Sequence, residues 1–137
     1  MNNLSFLDPK SLSAVVAAIR KSFSYNSIEV QLALHRGKSE ELGPRGGARY
    51  YCAGTCGGKF GRGDIFIDHI EPVVPIDTEL SEMSLETLYR RCFTDHSNLQ
   101  LLCDACHSVK TKAENAERKK YRQLRRPKII KSKLKVA

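Results

Sequence analysis

Asn98-Leu99-Gln100-Leu101-Leu102-Cys103-Asp104-Ala105-Cys106-His107 compresses three kinds of local structure into ten residues. Leu99 to Leu102 form an apolar run of strand length. Cys103 and Cys106, two residues apart, have the spacing that puts two thiolates on one tight turn. A helix then begins near Ala105 or Cys106, runs through Lys110 and Glu114 into a basic tail, and ends before Pro127. Upstream, Ile65-Phe66-Ile67 forms an earlier apolar strand that ends in Asp68-His69. The order in this half of the chain is therefore strand, strand, helix, with Asp68, His69, Asn98 and His107 at the junctions.

A second cysteine pair, Cys52 and Cys56, has three residues between its members, with Gly54 small enough to let the chain turn there. Two such pairs complete a tetrahedral zinc site of four cysteines. The 46 residues between Cys56 and Cys103 are too many for a simple zinc ribbon, so the two knuckles hold a further unit between them. His107 beside Cys106 has a second reading, as a member of the zinc shell, but four cysteines already fill it. Cys92 is the odd thiol. A core poor in aromatics, with 7% in the chain and no Trp, gains from such a metal staple.

Working outward, Pro72 and Pro75 open a polar connection, and Ser84 caps a short helix from Leu85 to Cys92 with Leu85, Leu88, Tyr89 and Cys92 inward. Tyr50-Tyr51 lead into the first cysteine pair, and Arg62-Gly63-Asp64 reads as a hairpin turn. The N-terminal third is helical: Asp8 caps a helix over 8–23 whose Leu12, Val15, Val16, Ile19 and Phe23 form one stripe. A second helix over 27–36 carries Ile28, Leu32 and His35 along one face and stops at Gly37. His35 and His96 read as structural or surface residues. Arg20 and Lys21 add charge to the first helix without a base-reading signature.

The length of 137 residues suits one small domain with appendages. Divided by pattern, it comprises a helical preface (1–48), a core carrying the chemistry (49–117) and a basic extension (118–137). Of the 23 Lys and Arg, ten fall between Arg118 and Lys135, which contains no acidic residue. The other 13 are set against all 15 Asp and Glu. The net charge of +8 is thus a property of the tail. Such a block either contacts a polyanion by displacing counterions from phosphates or is a solvated tail. With no secretory signal and no apolar run longer than Ala14–Ile19, the sequence reads as an intracellular protein without a membrane span, in a compartment where cysteines serve as metal ligands rather than disulfides.

Asp68-His69-Ile70-x-Pro72, Asn98-Leu99-Gln100-x-Leu102-Cys103 and Cys103-x-x-Cys106-His107-x-x-Lys110-Thr111 together resemble the three parts of an HNH endonuclease in its zinc-bearing subclass. The likeness spans residues 49–117 and is greatest to small phage-encoded HNH proteins. The first pair departs from the pattern, with three residues between its cysteines where two are usual. The resemblance implies an α+β protein with a ββα-metal core, acting on DNA in the cytoplasm, a host's if the protein is phage-encoded. It further implies that His69 is the general base and that Asp68 and His107 hold one divalent ion, Mg²⁺ or Mn²⁺. Asn98 would orient His69 or its loop, or reach the metal. Lys110 and Lys112 would touch phosphates flanking the scissile one, and Arg118, Lys119, Lys120 and Arg122 would grip DNA further along. The competing reading is a non-catalytic zinc-finger nucleic-acid-binding protein, in which Asp68, His69 and Asn98 brace the fold. The sequence leaves open dimerisation and any phage packaging partner.

Overall fold

The computed structural model describes residues 3–125. The basic residues from 126 onward, read above as part of the polyanion-binding block, lie outside the described residues. Within these residues, four α-helices and two small antiparallel sheets make an α+β fold. Helix α1 (Pro9–Asn26) starts where Asp8 accepts a hydrogen bond from the Ser11 N–H at 2.8 Å, with Pro9 in the first turn. Its Leu12, Val16 and Ile19 pack against the core and Phe23 is buried in it.

Helix α2 (Ile28–Gly37), capped by Ser27, turns a different face inward from the one its sequence stripe predicts. Val30, Ala33 and Leu34 are buried, whereas Ile28 and Leu32 are 71% and 43% exposed and His35 faces solvent. Gly37 lies on the inward face. A Cβ there would meet Leu101 Cδ1 at 2.4 Å, so the helix end approaches the sheet through its glycine. Positions 30, 33, 34 and 37 share one helical face and follow it in.

Strands β1 (Arg49–Tyr51) and β2 (Lys59–Gly61) form one hairpin, with Tyr50 opposite Phe60. Strands β3 (Ile65–His69) and β4 (Leu99–Cys103) form the other sheet, with Ile65 opposite Cys103 and His69 opposite Leu99. Because β2 pairs with β1 and β3 with β4, Arg62–Asp64 is not a hairpin turn. It is a single 3-10 turn that carries the chain between the two sheets. Helix α3 (Leu85–Cys92) begins at Ser84 as its cap predicts, and buries Leu88 and Cys92. Leu85 and Tyr89 remain 52% exposed. Eight residues make little more than two turns, so the helix buries only one of the two i, i+4 pairs that its sequence offers.

Helix α4 (Asp104–Arg125) follows β4 without a loop and lies against both β3 and β4. It has no fully buried residue. Its far half is pinned by guanidinium groups: Arg118 donates to the Val74 and Pro75 carbonyls at 2.7 and 3.1 Å, Arg122 pairs with Glu79 at 3.0 Å, and Arg125 pairs with Glu82. Arg118 and Arg122, expected to grip DNA, are thus committed to the connection between β3 and α3. Preface helices, both strands of the second sheet and α3 share one buried cluster that includes Phe23, Val30, Ile65, Leu88 and Leu99. Burying side chains of this size contributes about 1.5–3 kcal/mol each before entropy is counted.

Candidate metal centre and active-site cleft

The sulfurs of Cys52, Cys56, Cys103 and Cys106 all lie within 4.8 Å of one another. Zinc bound to four thiolates at about 2.3 Å places neighbouring sulfurs about 3.8 Å apart. Cys56 Sγ and Cys103 Sγ are 3.8 Å apart. Backbone N–H groups point at this cluster: Gly54 and Cys103 donate to Cys52 Sγ at 3.3 Å, and Gly58 donates to Cys56 Sγ at 3.4 Å. Burial works against ionising Cys52, yet these N–H donors hold its thiol down to about 7. The Cys56 backbone favours the Cys106 thiolate, but the neighbouring sulfurs outweigh it and push Cys106 up to about 12. The four side chains can therefore hold a structural zinc ion. The longer first knuckle closes through Gly54, where a Cβ would meet Cys106 Sγ at 2.6 Å, and Gly57, whose φ of +67° suits glycine. The Ala53 N–H donates to Leu101 O at 2.7 Å and ties this knuckle to β4.

At the other end of β3 is an open cleft of about 520 Å³. Asp68, His69, His107, Lys110 and Glu114 line it, together with Arg20 from α1 and Arg118 and Arg122 from α4. Asp68 and His69 are consecutive on a strand, so their side chains leave opposite faces. Asp68 points toward α4 with Phe66, whose ring stacks on His107 at 5.6 Å. Its Oδ2 accepts from Gln100 Nε2 at 2.9 Å, the residue directly across the sheet, and lies 3.2 Å from Lys110 Nζ. Its Oδ1 faces His107 Nε2 at 3.8 Å.

His69 turns to the other side. Its ring lies 5.2 Å from Phe23, and Nε2 is 2.8 Å from the Cys92 carbonyl oxygen. A carbonyl only accepts, so Nε2 carries the proton and Nδ1 is left as the acceptor. Burial lowers the His69 pKa below its ordinary 6.5; the Cys92 carbonyl opposes this, and the Arg20 charge reinforces it. The imidazole is therefore neutral at pH 7.

Asn98 sits outside the cleft and acts on the turn after His69. Its Oδ1 accepts from the Glu71 N–H at 2.9 Å, and its own carbonyl accepts from Ile70 at 2.8 Å. Of the lysines expected to meet phosphate, Lys110 lines the cleft but is engaged by protein oxygens. Lys112 and Lys119 are exposed, and Lys120 pairs with Glu117 on the surface at 3.2 Å. His96 holds Arg36, as a structural role implies. Gln100, Glu114 and Arg20, at the cleft and its wall, carry no site role in the sequence reading. Gln100 lies inside the quoted strand and is paired with Asp68 by register. Arg20 comes from a helix nearly fifty residues away, and no local signal announces it.

Comparison with protein families, curated proteins and solved structures returns no match. The functional reading therefore rests on geometry. No described helix is long and apolar enough to cross a membrane.

Proposed function

We propose that the chain is a metal-dependent endonuclease that hydrolyses phosphodiester bonds in DNA, in the manner of the HNH enzymes it resembles. One observation carries this reading: Asp68 Oδ1 and His107 Nε2 face each other at 3.8 Å in an open cleft that His69 also lines, with only its Nδ1 left to accept a proton. The separation of 3.8 Å is too long for a hydrogen bond, and it lies within the roughly 4.2 Å that two donors sharing an ion at about 2.1 Å can span. A carboxylate and a neutral imidazole fit Mg²⁺ or Mn²⁺, set apart from the four soft sulfurs that fit zinc. The succession of β3, β4 and α4, with cysteines at the strand–helix junction, supports the ββα-metal core.

In this reading His69 Nδ1 takes a proton from the attacking water, and its ring is held for that task by Cys92 and Phe23. Asp68 and His107 hold the divalent ion, which when bound supplies charge stabilisation at the phosphorus and the leaving 3′ oxygen. Gln100 fixes the Asp68 carboxylate, and Asn98 fixes the backbone that follows His69. Arg20 offers a guanidinium to a phosphate oxygen beside His69. The products would carry a 5′-phosphate and a 3′-hydroxyl.

The test is cleavage of supercoiled plasmid by purified protein with Mg²⁺ or Mn²⁺. His69→Ala should lower the rate by about 10²–10⁴-fold, with zinc content unchanged and a cooperative melt retained. Wild-type cleavage by that variant would overturn the assignment. Binding without cleavage under every divalent ion would favour the non-catalytic zinc-finger reading.

A further inference from the structure

The Lys110 side chain, 22% exposed, crosses from α4 toward the end of β3. Its ammonium has three N–H donors and three oxygen acceptors around it: His69 O at 3.0 Å, Asp68 Oδ2 at 3.2 Å and Glu114 Oε2 at 2.9 Å. Asp68 and Glu114 are themselves largely covered, at 11% and 24% exposed. Two carboxylates are thus held together around one cation, and the same cation secures the backbone carbonyl of His69. A flexible surface lysine seeking phosphate would not be arranged in this way.

We propose that the Lys110 ammonium is the resident counter-cation of the cleft: it holds Asp68 and Glu114 in place before a divalent ion arrives and competes with that ion for Asp68. The inference rests on Asp68 being a ligand of the ion, as argued above. An ion bound through Oδ1 sits on the same carboxylate that already neutralises Lys110 through Oδ2. Two like charges on one carboxylate repel at a separation where the partly covered site screens them poorly. Lys110 is then a positioning residue that sets the concentration at which the ion binds, and Glu114 is the acceptor that keeps Lys110 within reach as the ion loads.

A role confined to structural support predicts that losing Lys110 weakens ion binding. Competition predicts the reverse. Mn²⁺ binding to the full-length zinc-loaded protein can be read from the electron paramagnetic resonance signal of free Mn²⁺, without reference to cleavage. Lys110→Met should lower the Mn²⁺ Kd by about tenfold, because both carboxylates lose their internal partner. Lys110→Gln, which keeps polar reach toward His69 O but no charge, should shift in the same direction and serves if Lys110→Met is poorly folded by zinc content. Lys110→Arg should bind close to wild type. Unchanged or weaker binding in the neutral variants would overturn the inference, as would a gain in Lys110→Arg equal to theirs. Asp68→Asn separates the two levels: if it binds Mn²⁺ as wild type does, the metal assignment itself fails, whereas weakened binding there with no gain in Lys110→Met refutes only the competition.

Discussion

The two ends of the β3–β4 sheet make opposite use of the same chain. At the Cys103 end, four chemically identical ligands converge, backbone N–H groups face the sulfurs, and Gly54 presses against Cys106 so closely that no methyl group fits. At the His69 end, the side chains are mixed in charge and type and surround an open cleft. One end is built to exclude and the other to admit. The two are only one residue apart in α4, where Cys106 and His107 are neighbours, and the helix separates them because consecutive residues point about 100° apart. The strand does the same for Asp68 and His69 by alternation.

That contrast can be broken most severely at the closed end. Cys103→Ser removes a ligand from a site of a kind whose metal contributes about 10–16 kcal/mol of apparent binding energy in small zinc domains. We expect loss of stoichiometric zinc and of a cooperative melt, measured by metal analysis and circular dichroism. A variant that keeps its zinc and its melting curve would show that the tetrad does not hold the fold. His69→Ala, at the open end, should instead keep its zinc and a cooperative melt, lowered only by the lost contacts to Phe23 and Cys92, while cleavage collapses. Gly54→Ala is a smaller intrusion at the closed end, forcing a Cβ against Cys106. It should cost about 1–3 kcal/mol, seen as a lower melting temperature and weaker zinc retention against a chelator. No change in either would mean that the first knuckle can re-form around a side chain.

The mildest probe is pH. The folded pKa of His69 lies below its ordinary 6.5, chiefly through burial, so the neutral ring persists somewhat below that value in the folded protein. Cleavage should be flat above about pH 6.5 and fall roughly tenfold per unit only at lower pH. Stability follows the same sign. The unfolded chain takes up the His69 proton first, so the contribution is whole above 6.5 and lost as pH falls through the folded value. An acid limb centred above about 6.5 would point to a base other than His69.

The closed end is legible in the sequence because its signal is local: cysteine spacing within each knuckle, a glycine between, and a strand running straight into a helix. Ser84 and Asp8 likewise announce their helices through caps that depend on three following residues. What is not legible depends on partners far along the chain. In α2 the run from Ile28 to Leu34 offers two apolar stripes, and contacts distant in sequence, Gly37 to Leu101, Arg36 to Leu99 and Glu29 to His96, go with the one containing Val30, Ala33 and Leu34. Arg118 and Arg122 look like a polyanion grip in sequence, yet their partners are carbonyls of residues 74 and 75 and the carboxylate of Glu79. Lys110 reads as a phosphate contact for the same reason: its charge is visible in one dimension, whereas Asp68 and the His69 carbonyl become its neighbours only in three.

Helix α4 has no fully buried residue, although it is 22 residues long and supplies a ligand to each metal centre in the proposed scheme. Apolar packing therefore contributes little to holding it, and its attachment falls to polar fastenings: the sulfur cluster at its first turn, Lys110 on Asp68 and the His69 carbonyl in its middle, and the arginine contacts to residues 74–82 near its last. In the language of native-state exchange, its amides should form a cooperative unit of their own, opening when these fastenings let go rather than waiting for the sheet to unfold. The helix that carries His107 and Lys110 is in that sense a strapped strut, and its closed time is set by the polar fastenings along it.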